Sequence, residues 1–173
     1  MPYTPYHFGP SSLIGLLLRK WIDFPVFVLA NIIMDLERLV VKLLFPGRFV
    51  PRYAHTFLLS AAVGIIWGAG AYFFRGFFKR IMDKIQIPYK TSISKMIFSG
   101  IFGAWVHLST DALYRPTSRL FWPFKIINPL SRFNKEEVEL ICVLCFIAAF
   151  VVYVWILNKK LPEIPEESVE KRP

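Results

Sequence analysis

The chain has 173 residues, enough for one compact domain; 55% are hydrophobic, 17% aromatic and 19% charged, and a positive mean hydropathy marks a membrane protein composition. Twenty-one basic residues against twelve acidic ones give a formal charge of +9, and because the basic residues sit beside apolar runs they suit anionic lipid rather than nucleic acid. Two cysteines, Cys142 and Cys145, exclude a disulfide framework and a four-thiolate zinc site.

In chain order, Ser11 to Lys20 is a short apolar stretch, and Phe24 to Phe45 a longer one interrupted by Asp35, Glu37, Arg38 and Lys42 before Pro46-Gly47 ends it. No Lys or Arg precedes Arg19, so the basic region that opens a signal peptide is missing and the first segments read as mature protein. His55 to Phe74 is uncharged and long enough for a membrane helix, with Gly64-x-x-x-Gly68 permitting close helix approach. Arg75 to Lys90 mixes basic residues with Phe77, Phe78, Ile81, Met82 and Ile85, the pattern of an interfacial segment. Ile93 to Leu113 is a third span, with Gly100 and Ala104 as a second small-residue pair and His107, Ser109, Thr110 and Asp111 in its last two turns. A loop rich in Pro, Arg and aromatics leads to the cleanest span, Leu140 to Leu157, where Cys142 and Cys145 read as core packing. Lys159-Lys160 closes it. The tail over 161–173 is acidic and proline-containing and reads as disordered.

Backbone groups in hydrocarbon must satisfy one another, and no segment alternates strictly over ten residues, so helices are preferred to a barrel. The expected fold is all-α: one membrane domain over 1–160, a multi-pass integral membrane bundle of about four to five helices. If the longer segments alternate, Arg19, Lys20, Arg75, Lys79, Arg80, Lys84, Lys90, Lys95, Lys159 and Lys160 collect on one side. Arg48, Arg52, Arg115, Arg119, Lys125, Arg132 and Lys135 collect on the other, and the positive-inside rule favours the first set as cytoplasmic.

His107 and Asp111 are the anomaly. Residues i and i+4 share a helix face, so imidazole and carboxylate converge either as two metal ligands or as a hydrogen-bonded pair within one helix. His7 and His55, the only other histidines, lie at the edges of apolar segments. Asp35 and Glu37 follow the apolar run Val26 to Met34, where ionisable groups are costly and usually functional; a local Asp35–Arg38 pair is the simpler reading.

Four pieces resemble, in the same order, the predicted membrane-bound metal-dependent hydrolases of bacteria and archaea, a group that includes SOS-regulated inner-membrane proteins. They are His7; Met34-Asp35-Leu36-Glu37 at a Pro-Asp-x-Asp position; Arg52-Tyr53-Ala54-His55-Thr56 at a His-Arg-Gly-x-Thr-His-Ser block; and Gly103 to Asp111 with Trp122-Pro123 at Gly-x-x-Ser-His-x-x-x-Asp and a downstream Trp-Pro. The similarity runs from about residue 1 to 157. It departs at Val50, which falls on a family histidine, at Met34 and at Glu37, leaving donors for one metal rather than two. The resemblance implies an inner-membrane location and a ligand set of His7, Asp35, His55, His107 and Asp111.

An antiparallel pair of spans brings His55 and His107 to one membrane face. His7 and Asp35 join them if Ser11 to Lys20 and Phe24 to Met34 form an N-terminal half-depth helical hairpin with arms of about 15 Å. Mixed nitrogen and oxygen ligands suit zinc first, then manganese or iron. A metal with an open position activates water and polarises a carbonyl or phosphoryl oxygen, with Glu37, held off the metal, as the candidate proton acceptor. Arg115, Arg119 and Lys125, beside Trp122 at headgroup level, are candidates to hold an anionic lipid-linked ester or phosphoester, against a plain anchoring role. The competing classes are a non-enzymatic protein with a structural metal or a helix-tying polar cluster, and a small ion-coupled transporter. Nucleotide-binding glycine motifs are absent.

Overall fold

A computed structural model describes residues 4–44, 55–124 and 126–159, with the side chains of residues 4, 37–42 and 44 outside that description. The described residues form α-helices and no strand: α1 (Thr4–Leu17), α2 (Phe24–Leu44), α3 (Phe57–Ala71), α4 (Arg75–Lys84), α5 (Ile93–Ala112) and α6 (Lys135–Asn158). A 3-10 turn over Tyr72–Phe74 joins α3 to α4. The expected tail over 161–173, Val50 and Lys125 lie outside the described residues.

Residues without side chains decide which helices touch. Gly64 and Gly68 of α3 face α5 so closely that a Cβ would stand 2.6 Å from Ile101 Cα and 2.5 Å from Ile97 Cα. Gly100 in turn meets the carbonyl of Gly64. The pairing of 64 with 101 and 68 with 97 makes α3 and α5 antiparallel, the close approach that the two small-residue pairs anticipate. Gly103 seats α5 against the carbonyl of Phe27 in α2, and Gly9 seats α1 against the carbonyl of Cys142 in α6. Asn31 of α2 donates Nδ2 to Ser11 Oγ of α1 at 2.9 Å, with both side chains buried. Thus α1 and α2 run antiparallel, and the N-terminal helical hairpin is present.

Its arms are longer than the apolar runs indicate. The apolar run starts at Ser11, yet α1 begins at Thr4 and passes through Pro10. An interior proline forfeits one backbone hydrogen bond; Gly9 and Ser11 on either side of it are buried in the helix contacts. At 14 residues, or about 21 Å, α1 is too short to cross a hydrocarbon core of about 30 Å. Helix α2 continues unbroken past Met34 to Leu44, so Asp35 lies within it rather than at its end.

Two further boundaries move. The segment expected over Arg75 to Lys90 ends as a helix at Lys84, where Gln86 adopts a left-handed φ of 57°. Helix α6 starts at Lys135, before the apolar run, because Asn134 caps it: Asn134 Oδ1 accepts from Glu137 N at 2.8 Å and Glu137 Oε2 accepts from Asn134 N at 2.9 Å. This reciprocal capping box is a polar signal that hydropathy does not register.

Two helical stretches, Phe57–Lys84 and Lys135–Asn158, are long and apolar enough to cross a membrane. Helix α6 buries Val138, Cys142, Ala149 and Ile156 and exposes Leu140, Leu144, Ile147 and Val151 along another face. Such a continuous apolar stripe is rare on a water-exposed monomer.

At one end of the bundle residues 113–124 and 126–134 fold back over α5. Asn128 donates Nδ2 to the carbonyls of Ala112 and Arg115, each at 2.7 Å. Phe57 N donates to the Leu120 carbonyl at 2.9 Å. Buried Leu120 packs with Leu108 and Ala112, so apolar burial holds this cap over the start of α3 and the end of α5.

Candidate metal centre

Four chain segments converge beneath that cap. Helix α5 contributes His107 and Asp111, α2 contributes Asp35, the first turns of α1 contribute His7, and His55 precedes α3. Thr56 fixes the last of these: its Oγ1 accepts from Leu59 N at 3.2 Å as the helix N-cap, which sets the chain direction at His55.

His107 is the hub, with 0% of its surface exposed. Its ring centroid lies 4.3 Å from that of His7 and 5.8 Å from that of His55, and its Nε2 is 3.8 Å from Asp35 Oδ1. Asp35, His55 and His107 each offer one ligand atom, all within 4.8 Å of one another. Donors about 2.1 Å from a common ion stand at most about 4.2 Å apart. The Asp35–His107 pair meets that limit at 3.8 Å, and the ligand atom of His55 lies within 4.8 Å of both. Two imidazoles and a carboxylate are a donor set that fits zinc, manganese or iron, with further positions left for water or substrate.

The remaining candidates form a second group beside the first. His7 Nε2 lies 3.4 Å from Asp111 Oδ1, with both side chains at most 3% exposed. Arg115 Nη1 lies 3.4 Å from Asp111 Oδ2, and Arg115 Nε donates to the Tyr114 hydroxyl at 2.7 Å. That hydroxyl stands 3.4 Å from Asp111 Oδ1. Asp111 therefore joins an imidazole and a guanidinium, and the His7–Asp111 pair is arranged as an outer-shell unit behind a ligand cluster would be. His7 Nδ1 is buried with no hydrogen-bond partner among the described residues.

Of the residues expected to hold substrate, Arg115 is tied to Asp111 and its side chain is only 16% exposed. Arg119 is exposed and lines an open groove of about 390 Å³ with Pro116, Trp122, Phe124 and Asn128. Lys125 and the side chain of Glu37, the expected proton acceptor, lie outside the described residues.

A buried acid at the opposite end of the bundle escapes the sequence reading. Asp23, 1% exposed, accepts from Val26 N at 3.2 Å as the cap of α2, from the Tyr89 hydroxyl at 2.8 Å and from the Thr91 hydroxyl. Its own backbone N–H donates to Ser99 Oγ at 2.6 Å. An aspartate directly before Phe24-Pro25 is a helix-start signal that could have located it. Burial, and then the adjacent Asp23 carboxylate, hold the Tyr89 phenol well above its ordinary range.

Comparison with protein-family models, curated proteins and solved structures finds no match to this chain.

Proposed function

We propose that the protein is a multi-pass inner-membrane, metal-dependent hydrolase of a lipid-linked ester or phosphoester. The observation that carries this reading is the convergence of Asp35, His55 and His107 within 4.8 Å at one end of an apolar bundle. Ionisable groups placed among lipid-facing helices are expensive and are retained for function. The exposed apolar stripe of α6 and the apolar window within the helical stretch Phe57–Lys84 support the membrane assignment, and the resemblance in motif order points the same way.

Asp35, His55 and His107 would hold the metal, which supplies Lewis-acid polarisation of a carbonyl or phosphoryl oxygen. Asp35 retains 20% side-chain exposure whereas His107 has none, so access to the cluster is from the Asp35 side. Asp111 orients His7 on one side and Arg115 on the other. The Arg115 guanidinium then sits beside the cluster as a fixed donor for an anionic oxygen, a role suited to its planar fork. The groove of Arg119 and Trp122 pairs a cation with an apolar wall, as a lipid headgroup and its first methylenes require.

The test is hydrolysis of lipid phosphoesters and esters by detergent-purified protein with zinc or manganese supplied. Turnover that a chelator abolishes and the same metal restores supports the proposal. Protein that binds metal stoichiometrically yet hydrolyses neither class contradicts the enzymatic part and favours a structural metal, a reading that the near-complete burial of His7, His55 and His107 also suits.

A further inference from the structure

The end of the bundle remote from the histidines carries a separate pattern. Helix α4 buries only Phe78 and Met82, one turn apart. Phe78 shares an apolar cluster with Val26, Ala71 and Met96, and Met82 shares one with Leu16, Ala149 and Ile156. Tyr153 of α6 donates its hydroxyl to the Ile85 carbonyl, at the end of α4, at 3.2 Å. Beginning at the end of α3 and finishing against α6, α4 therefore lies across the helix ends.

Its outward surface combines two chemistries. Lys79, Arg80 and Lys84 are exposed and have no ion pair with an acidic side chain among the described residues. Phe73, Phe74, Phe77 and Ile81 are exposed between and beside them, Phe73 at 83%. One exposed acid, Asp83, interrupts the basic series. The apolar helices α3 and α6, which carry the two membrane-competent stretches, both end here, so their apolar outer faces run directly into this surface.

We propose that α4 and the preceding 3-10 turn form a docking surface for the anionic headgroups of one bilayer leaflet, and that the His–Asp–Arg115 site opens toward the opposite leaflet. The inference rests on the membrane reading but not on metal or catalysis. Lys79, Arg80 and Lys84 meet lipid phosphates while Phe73, Phe74, Phe77 and Ile81 enter the acyl boundary, as for an amphipathic helix lying in the interface. A nucleic acid would satisfy the cations but would not cover the flanking apolar faces of α3 and α6.

The test is hydrogen exchange of the full chain in nanodiscs of phosphatidylcholine with and without phosphatidylglycerol. Amides over 75–84 should exchange several-fold more slowly with phosphatidylglycerol; high salt and the exposed-site variant Lys79→Gln/Arg80→Gln/Lys84→Gln should each remove that difference, since surface charge attraction is screened. Equal exchange in both lipids, or a difference that the triple variant retains, overturns the docking surface. For sidedness, a membrane-impermeant maleimide applied to right-side-out vesicles from expressing cells should label only one of the variants Ile127→Cys and Lys79→Cys; equal labelling of both, or of neither, overturns the opposite-leaflet arrangement. Protein that stays in solution without detergent and enters neither disc overturns the membrane reading itself, a failure distinct from the other two.

Discussion

Asp35 Oδ1 and His107 Nε2 face each other at 3.8 Å across the contact between α2 and α5. Gly103 allows that contact, since its missing side chain lets α5 rest on the backbone of Phe27. A polar pair in an apolar bundle is thus positioned by the packing of residues that carry no chemistry. Asp111, one turn beyond His107 on the same helix, faces His7 and Arg115, so the two carboxylates meet different partners.

Asp111→Asn retains the size of the side chain and removes the charge that Arg115 and His7 meet. Loss of an outer-shell partner reduces metal affinity or activity by roughly 10- to 100-fold. We predict a fall in turnover of that order, with an apparent Tm in detergent close to that of the parent protein. If stability and metal content collapse together while Asp111→Glu restores neither, Asp111 is a structural strut rather than an orienting group.

Gly68→Ala places a Cβ about 2.5 Å from backbone atoms of Met96 and Ile97, and overpacking of this kind costs about 1–3 kcal/mol. At Gly70, on the same helix but facing away from α5, an added Cβ would meet nothing within 4 Å. Gly70→Ala should be neutral or stabilise by up to about 1 kcal/mol. Paired melting curves decide the matter: equal effects at the two glycines contradict the α3–α5 contact.

Asp23→Ala removes the α2 cap, worth about 0.5–2 kcal/mol, and the acceptor of the part-buried Tyr89 hydroxyl, a hydrogen bond worth about 0.5–1.5 kcal/mol net. The Tyr89 phenol is raised by burial and by Asp23. Its stabilising contribution is therefore complete below the ordinary tyrosine value of about 10 and declines as pH rises beyond it. Ultraviolet titration should show one tyrosine ionising later than the rest in the parent and earlier in Asp23→Asn; identical titration curves would count against the Asp23–Tyr89 bond.

Extents of uniform apolar character were legible in the sequence. Helix α5, Ile93–Ala112, matches the run read as Ile93 to Leu113 almost residue for residue, because little that is polar interrupts it before its last turns. Where backbone chemistry competes with hydropathy, the reading failed. Helix α1 starts at Thr4, ahead of the apolar run from Ser11, Asn134 and Glu137 start α6 ahead of its apolar run, and Asp23 hides as a cap before Phe24-Pro25. The spacing of His107 and Asp111 drew attention to the end of α5, since i and i+4 are local, whereas the group within metal-binding distance joins His107 to Asp35 and His55. The pairing of His7 with Asp111 and of Asp35 with His107 depends on which helices are neighbours, and no local pattern carries that information.

The central claim is that Asp35, His55 and His107 hold a divalent metal. Elemental analysis of detergent-purified protein beside His55→Ala and His107→Ala, with circular dichroism to verify folding, tests it most directly. About one zinc, manganese or iron per chain in the parent, with strong depletion in both folded variants, is the predicted result; metal near zero in all three, or equal occupancy in all three, would contradict it.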